Sequence, residues 1–286
     1  YEKAETLFLV ALEKRKEKVG DIHPETLASL NNLAFLYEQL GLYKLAEPLY
    51  EACYEKRLQL HGDRHPETLL AMNNLAYLYK LRGDYEHAEP LFNLCLEKRK
   101  MELGSEHPDT IFSMNNLANV YYNQGDYDKA ETMSVECLEK SKSILGELHP
   151  KTLTSMASLA SIYANKGMPT KAEPLFVECL EKRKEAFGED HPETISSINT
   201  LAGFYCGSAK YDLAEPLYQK SFDLLKERYG EEHPSTVNAL NNLAFMYDTK
   251  GDQSKSEELY IECLRLNQQL YGDEHPDTLT AMHDLG

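Results

Sequence analysis

The dipeptide His-Pro recurs along the chain at a fixed interval of 42 residues, without an insertion. A threonine lies three residues after each of these histidines, from Thr26 to Thr278. The seven copies begin at His23, His65, His107, His149, His191, His233 and His275. A fixed period of this length indicates a repeat protein, in which each unit buries its apolar face only by stacking on its neighbours.

Each repeat contains two stretches with the periodicity of an α-helix. In the first repeat the first stretch has apolar residues at positions i, i+3, i+4 and i+7, namely Leu30, Leu33, Ala34 and Tyr37. The second stretch begins near Tyr43 and has the same spacing at Ala46, Leu49, Tyr50 and Cys53. Gly41 falls where a tight turn needs a positive φ, and Gly62 falls where the second helix ends. Each repeat is therefore predicted to be helix, turn, helix and loop.

Neither helix of a pair can bury its apolar stripe alone, so neighbouring pairs must stack. We predict an all-α fold, a right-handed superhelical solenoid of antiparallel helix pairs. It consists of an isolated second helix over roughly residues 1–20, about six full 42-residue repeats, and a further first helix that starts at Pro276. No shift in composition marks a second domain, so residues 1–286 are predicted to form one domain. Both ends cut through a repeat, which indicates a piece of a longer array.

The spacing of these residues resembles the signature of the tetratricopeptide repeat (TPR) family, with Cys53 where that family usually has alanine. The common TPR unit has about 34 residues. The longer unit found here resembles the repeats of kinesin light chains and nephrocystin-3-like proteins, notably in the segments Leu30-Asn31-Asn32-Leu33-Ala34 and Gly188-Glu189-Asp190-His191-Pro192. The resemblance covers the whole chain. It implies a non-catalytic scaffold, since kinesin light chains hold cargo-adaptor peptides in the concave groove of their repeats.

The charge of the chain limits its partners. Its net charge is −17, from 47 acidic and 30 basic side chains. Phosphate contacts supply most of the affinity of nucleic-acid binders, so nucleic acid is a poor partner for this chain. No apolar run is long enough to span a bilayer, which predicts no membrane insertion. We therefore predict a protein or peptide partner.

Two residue types at the repeat interval could suggest chemistry, but both are better explained by structure. Equivalent histidines in successive repeats lie about 10 Å apart, whereas zinc ligands lie about 2 Å from the ion. The histidines are therefore predicted to start helices, with no metal bound. Repeat spacing also keeps the equivalent cysteines too far apart for disulfides, so they are predicted to be buried free thiols of a cytoplasmic protein. These cysteines are Cys53, Cys95, Cys137, Cys179 and Cys263.

Other candidates for chemistry are weak. Cys206 lies outside this register and is left open as a reactive thiol. Basic clusters such as Lys14-Arg15-Lys16, Lys98-Arg99-Lys100 and Lys182-Arg183-Lys184 lie late in second helices, where they complement the negative helix end. The sequence contains no nucleotide-binding loop and no recognisable catalytic set. No enzymatic activity and no cofactor are predicted.

The first helices line the concave surface of a TPR stack, and residues one position off their buried stripe should face the groove. Asparagine recurs there, which leaves two interpretations open. The amides could form a ladder that clamps the backbone of an extended peptide, or they could bond between neighbouring helices. The predicted peptide-binding residues are Asn31, Phe35, Glu38, Leu70, Asn73, Tyr77, Lys80, Phe112, Asn115, Asn119, Tyr122, Asn199 and Asn241.

These features predict a peptide-binding adaptor that resembles kinesin light chain-like cargo adaptors and uses the groove of the first three repeats. The alternative is a sensor or oligomerisation arm of a larger signalling protein, for example one attached to a nucleotide-binding domain. The fifth repeat is irregular, because Gly203 and Gly207 lie in or near its first helix and Ser208-Ala209 replace the usual turn glycine. That repeat is predicted to contain a hinge.

Overall fold

The computed structural model describes residues 2–285 and is all-α, as predicted. Within that described part there are fourteen helices and no strand. Contacts divide the chain into unit 1, Tyr1–Leu145, and unit 2, Gly146–Gly286. We describe each unit by itself, and one continuous domain over residues 1–286 stays a prediction.

Unit 1 contains an isolated second helix followed by three helix pairs. Its helices are α1 (Glu2–Val19), α2 (Pro24–Gln39), α3 (Tyr43–His61), α4 (Pro66–Leu81), α5 (Tyr85–Leu103), α6 (Pro108–Asn123) and α7 (Tyr127–Leu145). The even-numbered helices here are the predicted first helices of each repeat. Each helix packs on its neighbours in sequence.

Unit 2 contains three helix pairs and one further first helix. Its helices are α8 (Pro150–Asn165), α9 (Pro169–Phe187), α10 (Pro192–Gly207), α11 (Tyr211–Tyr229), α12 (Pro234–Lys250), α13 (Gln253–Tyr271) and α14 (Pro276–Leu285). First and second helices alternate as they do in unit 1, and consecutive helices pack on each other.

The buried core follows the predicted stripes. In the first repeat, Leu33 and Ala34 of α2 are buried, as are Tyr50 and Cys53 of α3. The cysteine thiol donates a weak hydrogen bond to a carbonyl oxygen of the preceding first helix, as from Cys53 Sγ to Leu27 O at 3.6 Å. Burial raises the pKa of the Cys53 thiol. These cysteines are small core residues, which confirms the predicted role.

Every first helix begins with a histidine that caps its N-terminus. The Nδ1 atom accepts a hydrogen bond from the backbone N–H two residues later, at 3.1–3.3 Å in all seven copies. The proline that follows stands at the first helical position, where its missing N–H has no intrahelical partner to lose. The histidines therefore start helices, as predicted.

The threonine of the motif closes the joint between successive repeats. We call "joint" the segment from the last turn of a second helix to the first turn of the next first helix. All seven threonines are fully buried. Thr26 Oγ1 donates to the carbonyl oxygen of Gly20 at 2.8 Å, and Thr110 and Thr194 make the same bond to Gly104 and Gly188. A carbonyl that the second helix leaves without a partner is thus satisfied by the next helix.

The turn between the two helices of a pair requires a left-handed residue. Gly167 adopts φ +70°, and Ala209 at the equivalent position of the fifth repeat adopts φ +54°. Helix α10 is continuous as far as Gly207 in spite of its two glycines. The irregularity of the fifth repeat is therefore a strained alanine in the turn, and the hinge itself stays a prediction.

Replacing a capping histidine should destabilise the fold. We expect His191→Ala to lower the free energy of unfolding by about 1 kcal/mol, because the N–H of Glu193 loses its 3.2 Å acceptor. Urea denaturation followed by circular dichroism measures this change. His191→Asn is the matched control, since asparagine can accept the same bond, and it should retain most of the stability. Equal loss in the two variants would contradict the capping role.

Replacing the strained alanine should stabilise the fold. We expect Ala209→Gly to raise the free energy of unfolding by about 1 kcal/mol, because an L-residue with positive φ carries a penalty of that order. Gly167→Ala at the equivalent turn should lower it by a similar amount, since a Cβ there meets no atom within 4 Å and only backbone strain is added. Differential scanning calorimetry of both variants tests the pair, and shifts of the same sign would be inconsistent with backbone strain.

Candidate functional site

Three large apolar side chains are exposed on the first helices of unit 1. Phe35 of α2 is 52% exposed, Leu70 of α4 is 41% exposed and Phe112 of α6 is 37% exposed. All three were predicted to face the groove, and all three lie off the buried stripes of their helices. Leu70 and Phe112 occupy one position of the repeat, and Phe35 and Tyr77 occupy another position seven residues further along; we call these four side chains the aromatic face.

The predicted amides beside this face bond to one another across neighbouring first helices. Asn74 Nδ2 donates to Asn31 Oδ1 at 2.9 Å, and Asn116 Nδ2 donates to Asn73 Oδ1 at 3.1 Å. Asn73 is itself buried. These bonds link α2 to α4 and α4 to α6. For Asn31 and Asn73 the interpretation as ties between helices is therefore confirmed, each Oδ1 atom accepting one hydrogen bond, and a contact of either residue with a peptide stays a prediction.

Three other amides of the same repeat position have a free acceptor. The Oδ1 atoms of Asn115 in unit 1 and of Asn199 and Asn241 in unit 2 are buried and have no hydrogen-bond partner among the described residues. A buried acceptor without a partner lowers stability by about 1–3 kcal/mol. The acceptor capacity of these three oxygens is not used by any group of the described residues.

Glu38 does not present its carboxylate on the surface. It is only 6% exposed, and it accepts a hydrogen bond from the Tyr50 hydroxyl at 3.0 Å. Burial raises the pKa of Glu38. Burial also raises the pKa of Tyr77, and Glu38 and Tyr43 raise it further, which shows that these groups lie close together. Glu38 is therefore a buried carboxylate that is bonded to Tyr50.

Lys80 is a half-buried ammonium group one turn beyond Tyr77. Its Nζ atom lies 4.6 Å from the centre of the Tyr77 ring. Burial lowers the pKa of Lys80, and no carboxylate of the described residues lies within ion-pair distance of it. Asn119 and Tyr122, the remaining predicted residues, are half-buried on α6. The structure thus places the predicted residues of unit 1 on three adjacent helices, and it places Asn199 and Asn241 in unit 2.

The basic clusters contain buried arginines with a structural role that the helix-end interpretation missed. Arg99 and Arg183 are buried, and each donates to a backbone carbonyl in the first turn of the next first helix, at 3.0 Å. Arg57 does the same at 2.9 Å. These arginines cross the joint, so the earlier interpretation is corrected for them. The recurrence of arginine at an interval of 42 residues was the signal that could have identified this role.

The remaining candidates for reactivity, metal binding and membrane insertion are considered for the described residues. Cys206 is buried and lies 3.4 Å from the Thr249 hydroxyl. In residues 2–285 no group of three or more His, Cys, Asp or Glu side chains is arranged to hold a metal ion. No helix in that range is long and apolar enough to cross a membrane. The arrangement can form hydrogen bonds, ion pairs and apolar contacts with a partner.

Solved structures with related folds come from several kinds of protein. A kinesin light chain-like protein of Podosopora anserina with nearly identical TPR-like repeats is 24% identical and has a TM-score of 0.63; the alignment covers 72% of this chain and 98% of that one. BtubC (BKLC) from P. vanneervenii is 23% identical with a TM-score of 0.62, covering 93% and 94%. A Rap protein complexed with Competence and Sporulation Factor is 13% identical with a TM-score of 0.66, covering 96% and 77%. At these identities the similarity shows the fold alone.

Sequence comparison identifies the repeat. A search of curated proteins found no significant match to this chain. The tetratricopeptide repeat family model matches residues 1–59, 25–101, 82–139, 109–185 and 194–266, which together cover most of the chain. Repeats of this family form protein-interaction scaffolds that are generally not catalytic. The chain therefore belongs to the tetratricopeptide repeat family.

Proposed function

We propose that this chain is a non-catalytic scaffold that binds a peptide segment of a partner protein on the aromatic face of unit 1. The observation that carries the proposal is the exposure of Phe35, Leu70 and Phe112 on three adjacent first helices. Exposed apolar residues that form a contiguous patch mark interaction sites, whereas single ones are common on any surface. The six free, buried cysteines support a reducing, cytoplasmic setting for such a scaffold.

The rest of the face suits an extended segment. Asn31 and Asn73 hold the three helices together through their bonds to Asn74 and Asn116, so the surface is formed before the ligand arrives. A preformed surface reduces the entropy lost on binding. Asn115 adds a buried amide oxygen without a partner, which can accept a backbone N–H from the segment. Kinesin light chain-like adaptors are the model for this role, and the partner is proposed to be a protein.

Removing the apolar side chains of the aromatic face should weaken peptide binding. We expect the triple variant Phe35→Ser/Leu70→Ser/Phe112→Ser to bind displayed peptides at least about tenfold more weakly than the wild type, because each large apolar side chain contributes roughly 1.5–3 kcal/mol when fully buried. The measurement is panning of a random peptide library against the wild-type chain, followed by titration of the enriched peptides against both proteins. Enriched peptides should share a large apolar residue.

The matched control changes three exposed leucines of unit 1 that lie outside the aromatic face. These are Leu42 and Leu45 at the start of α3 and Leu94 on α5, which are exposed to a similar degree. The triple variant Leu42→Ser/Leu45→Ser/Leu94→Ser should bind as the wild type does, with circular dichroism confirming equal helicity. Peptides that bind all three proteins equally, or no enrichment from the library, would rule out the aromatic face as a binding site.

A further inference from the structure

A buried arginine occupies the same place in several joints of the chain. Arg57, Arg99 and Arg183 each donate to the carbonyl oxygen ten residues later, in the first turn of the next first helix. Arg57 and Arg183 also pair with the carboxylate of that same residue, Glu67 or Glu193, at 3.0 Å. The joint is therefore a guanidinium site that the chain normally fills with its own side chain.

In the joint between α13 and α14 this arginine is replaced by Asn267. The acidic residue ten positions later is retained as Asp277. The serine that Arg183 contacts in its own joint, Ser197, corresponds to Ala281. Asparagine is several atoms shorter than arginine, and a cavity of about 80 Å³ lies at this place. It is lined by Val237, Asn238, Asn241, Asn267, Asp277, Thr280, Ala281 and Asp284.

Two amide side chains around this cavity have polar atoms without partners. Asn267 is only 9% exposed, and its side chain makes no hydrogen bond within the described residues. Asn241 Oδ1 is buried and also has no partner. Asp277 Oδ2 lies 3.7 Å from His275 Nδ1, but that nitrogen accepts the backbone N–H of Asp277 and has no proton to donate to the carboxylate. No basic side chain of the described residues pairs with Asp284. The cavity thus offers amide and carboxylate oxygens that are ready to accept.

The charge and the donor pattern select one kind of ligand group. Unpartnered oxygens next to two carboxylates favour a cation that donates several hydrogen bonds, and the chain as a whole carries a charge of −17. A guanidinium group has five N–H donors in a planar fork that matches a carboxylate. The same chemistry is already present in the joints of Arg57 and Arg183. The expected ligand group is therefore a guanidinium, the same group that the arginine side chain supplies in the other joints.

We infer that the cavity between α12, α13 and α14 binds the guanidinium group of an arginine side chain on a partner protein. The guanidinium takes the place of the absent arginine and pairs with Asp277, while Asn241 and Asn267 accept from its remaining N–H groups. The site uses no residue of the aromatic face, so the two sites can be tested independently.

The neighbouring joint provides space for the rest of the partner segment. In the joint between α11 and α12 the arginine is replaced by Leu225, and a cavity of about 490 Å³ lies between α10, α11 and α12. Asn238 lines both cavities, so they adjoin one another within unit 2. Asn199, which also lines the larger cavity, has a buried Oδ1 without a partner. A segment that places its arginine beside Asp277 can therefore extend along α12.

The test compares two small probes of equal shape. N-acetyl-arginine amide and the uncharged N-acetyl-citrulline amide are titrated into the 286-residue chain while side-chain amide signals are followed by ¹H–¹⁵N NMR. We expect saturable shifts at Asn241 and Asn267, with the arginine probe binding about tenfold or more tightly than the citrulline probe. Asn267→Arg should remove this preference, because the new side chain fills the cavity from within.

Two further variants separate site binding from general attraction to an acidic surface. Gln253→Arg adds the same charge at an exposed position of α13 and should leave the preference unchanged. Asp277→Asn removes the carboxylate at an exposed position and should weaken binding of the arginine probe about tenfold. Because this change is at the surface, the test stays valid if Asn267→Arg fails to fold. The assignment would be overturned if the two probes bound equally, if neither bound, or if the shifts were confined to other residues. It would also be overturned if a folded Asn267→Arg or Asp277→Asn variant kept the preference for the arginine probe.

Discussion

The structure depends on the joint between successive repeats. A helix of 16 to 19 residues leaves carbonyl groups at one end and N–H groups at the other without partners. Each first helix begins with a histidine that accepts from its backbone, and at five joints the buried threonine also donates to the ending helix, whereas the buried hydroxyls of Thr152 and Thr236 have no partner among the described residues. Because the histidine stands at a fixed position in the motif, every first helix begins with the same cap.

The fold was largely predictable from the sequence. The periodic apolar residues predicted both helices of each repeat, and the turn glycines predicted where the first helix ends and the second begins. The structural roles of the cysteines and histidines were also predicted, since the cysteines are buried in the core and the histidines cap the first helices. The 42-residue period did not predict that the chain divides into two contact units. That division depends on how the helices pack, and the spacing of residue types does not describe it.

The site was less predictable, for physical reasons that differ between residues. Helical periodicity placed Phe35, Leu70 and Phe112 on an exposed surface. It could not show that the Tyr50 hydroxyl of another helix would cover the Glu38 carboxylate. The arginines were misjudged because a positive charge near a helix end already has a sufficient explanation. Only the position of the next helix shows that Arg99 is buried beneath it.

The arginine position has a consequence for how such an array changes over time. The backbone of a joint is held by histidine, proline and threonine, none of which is altered when the arginine is exchanged. The joints of Asn267 and Leu225, which lack the arginine, have cavities of about 80 and 490 Å³ without any insertion in the repeat. The residue at this one position therefore sets how much space a joint contains, while the length of the repeat stays the same.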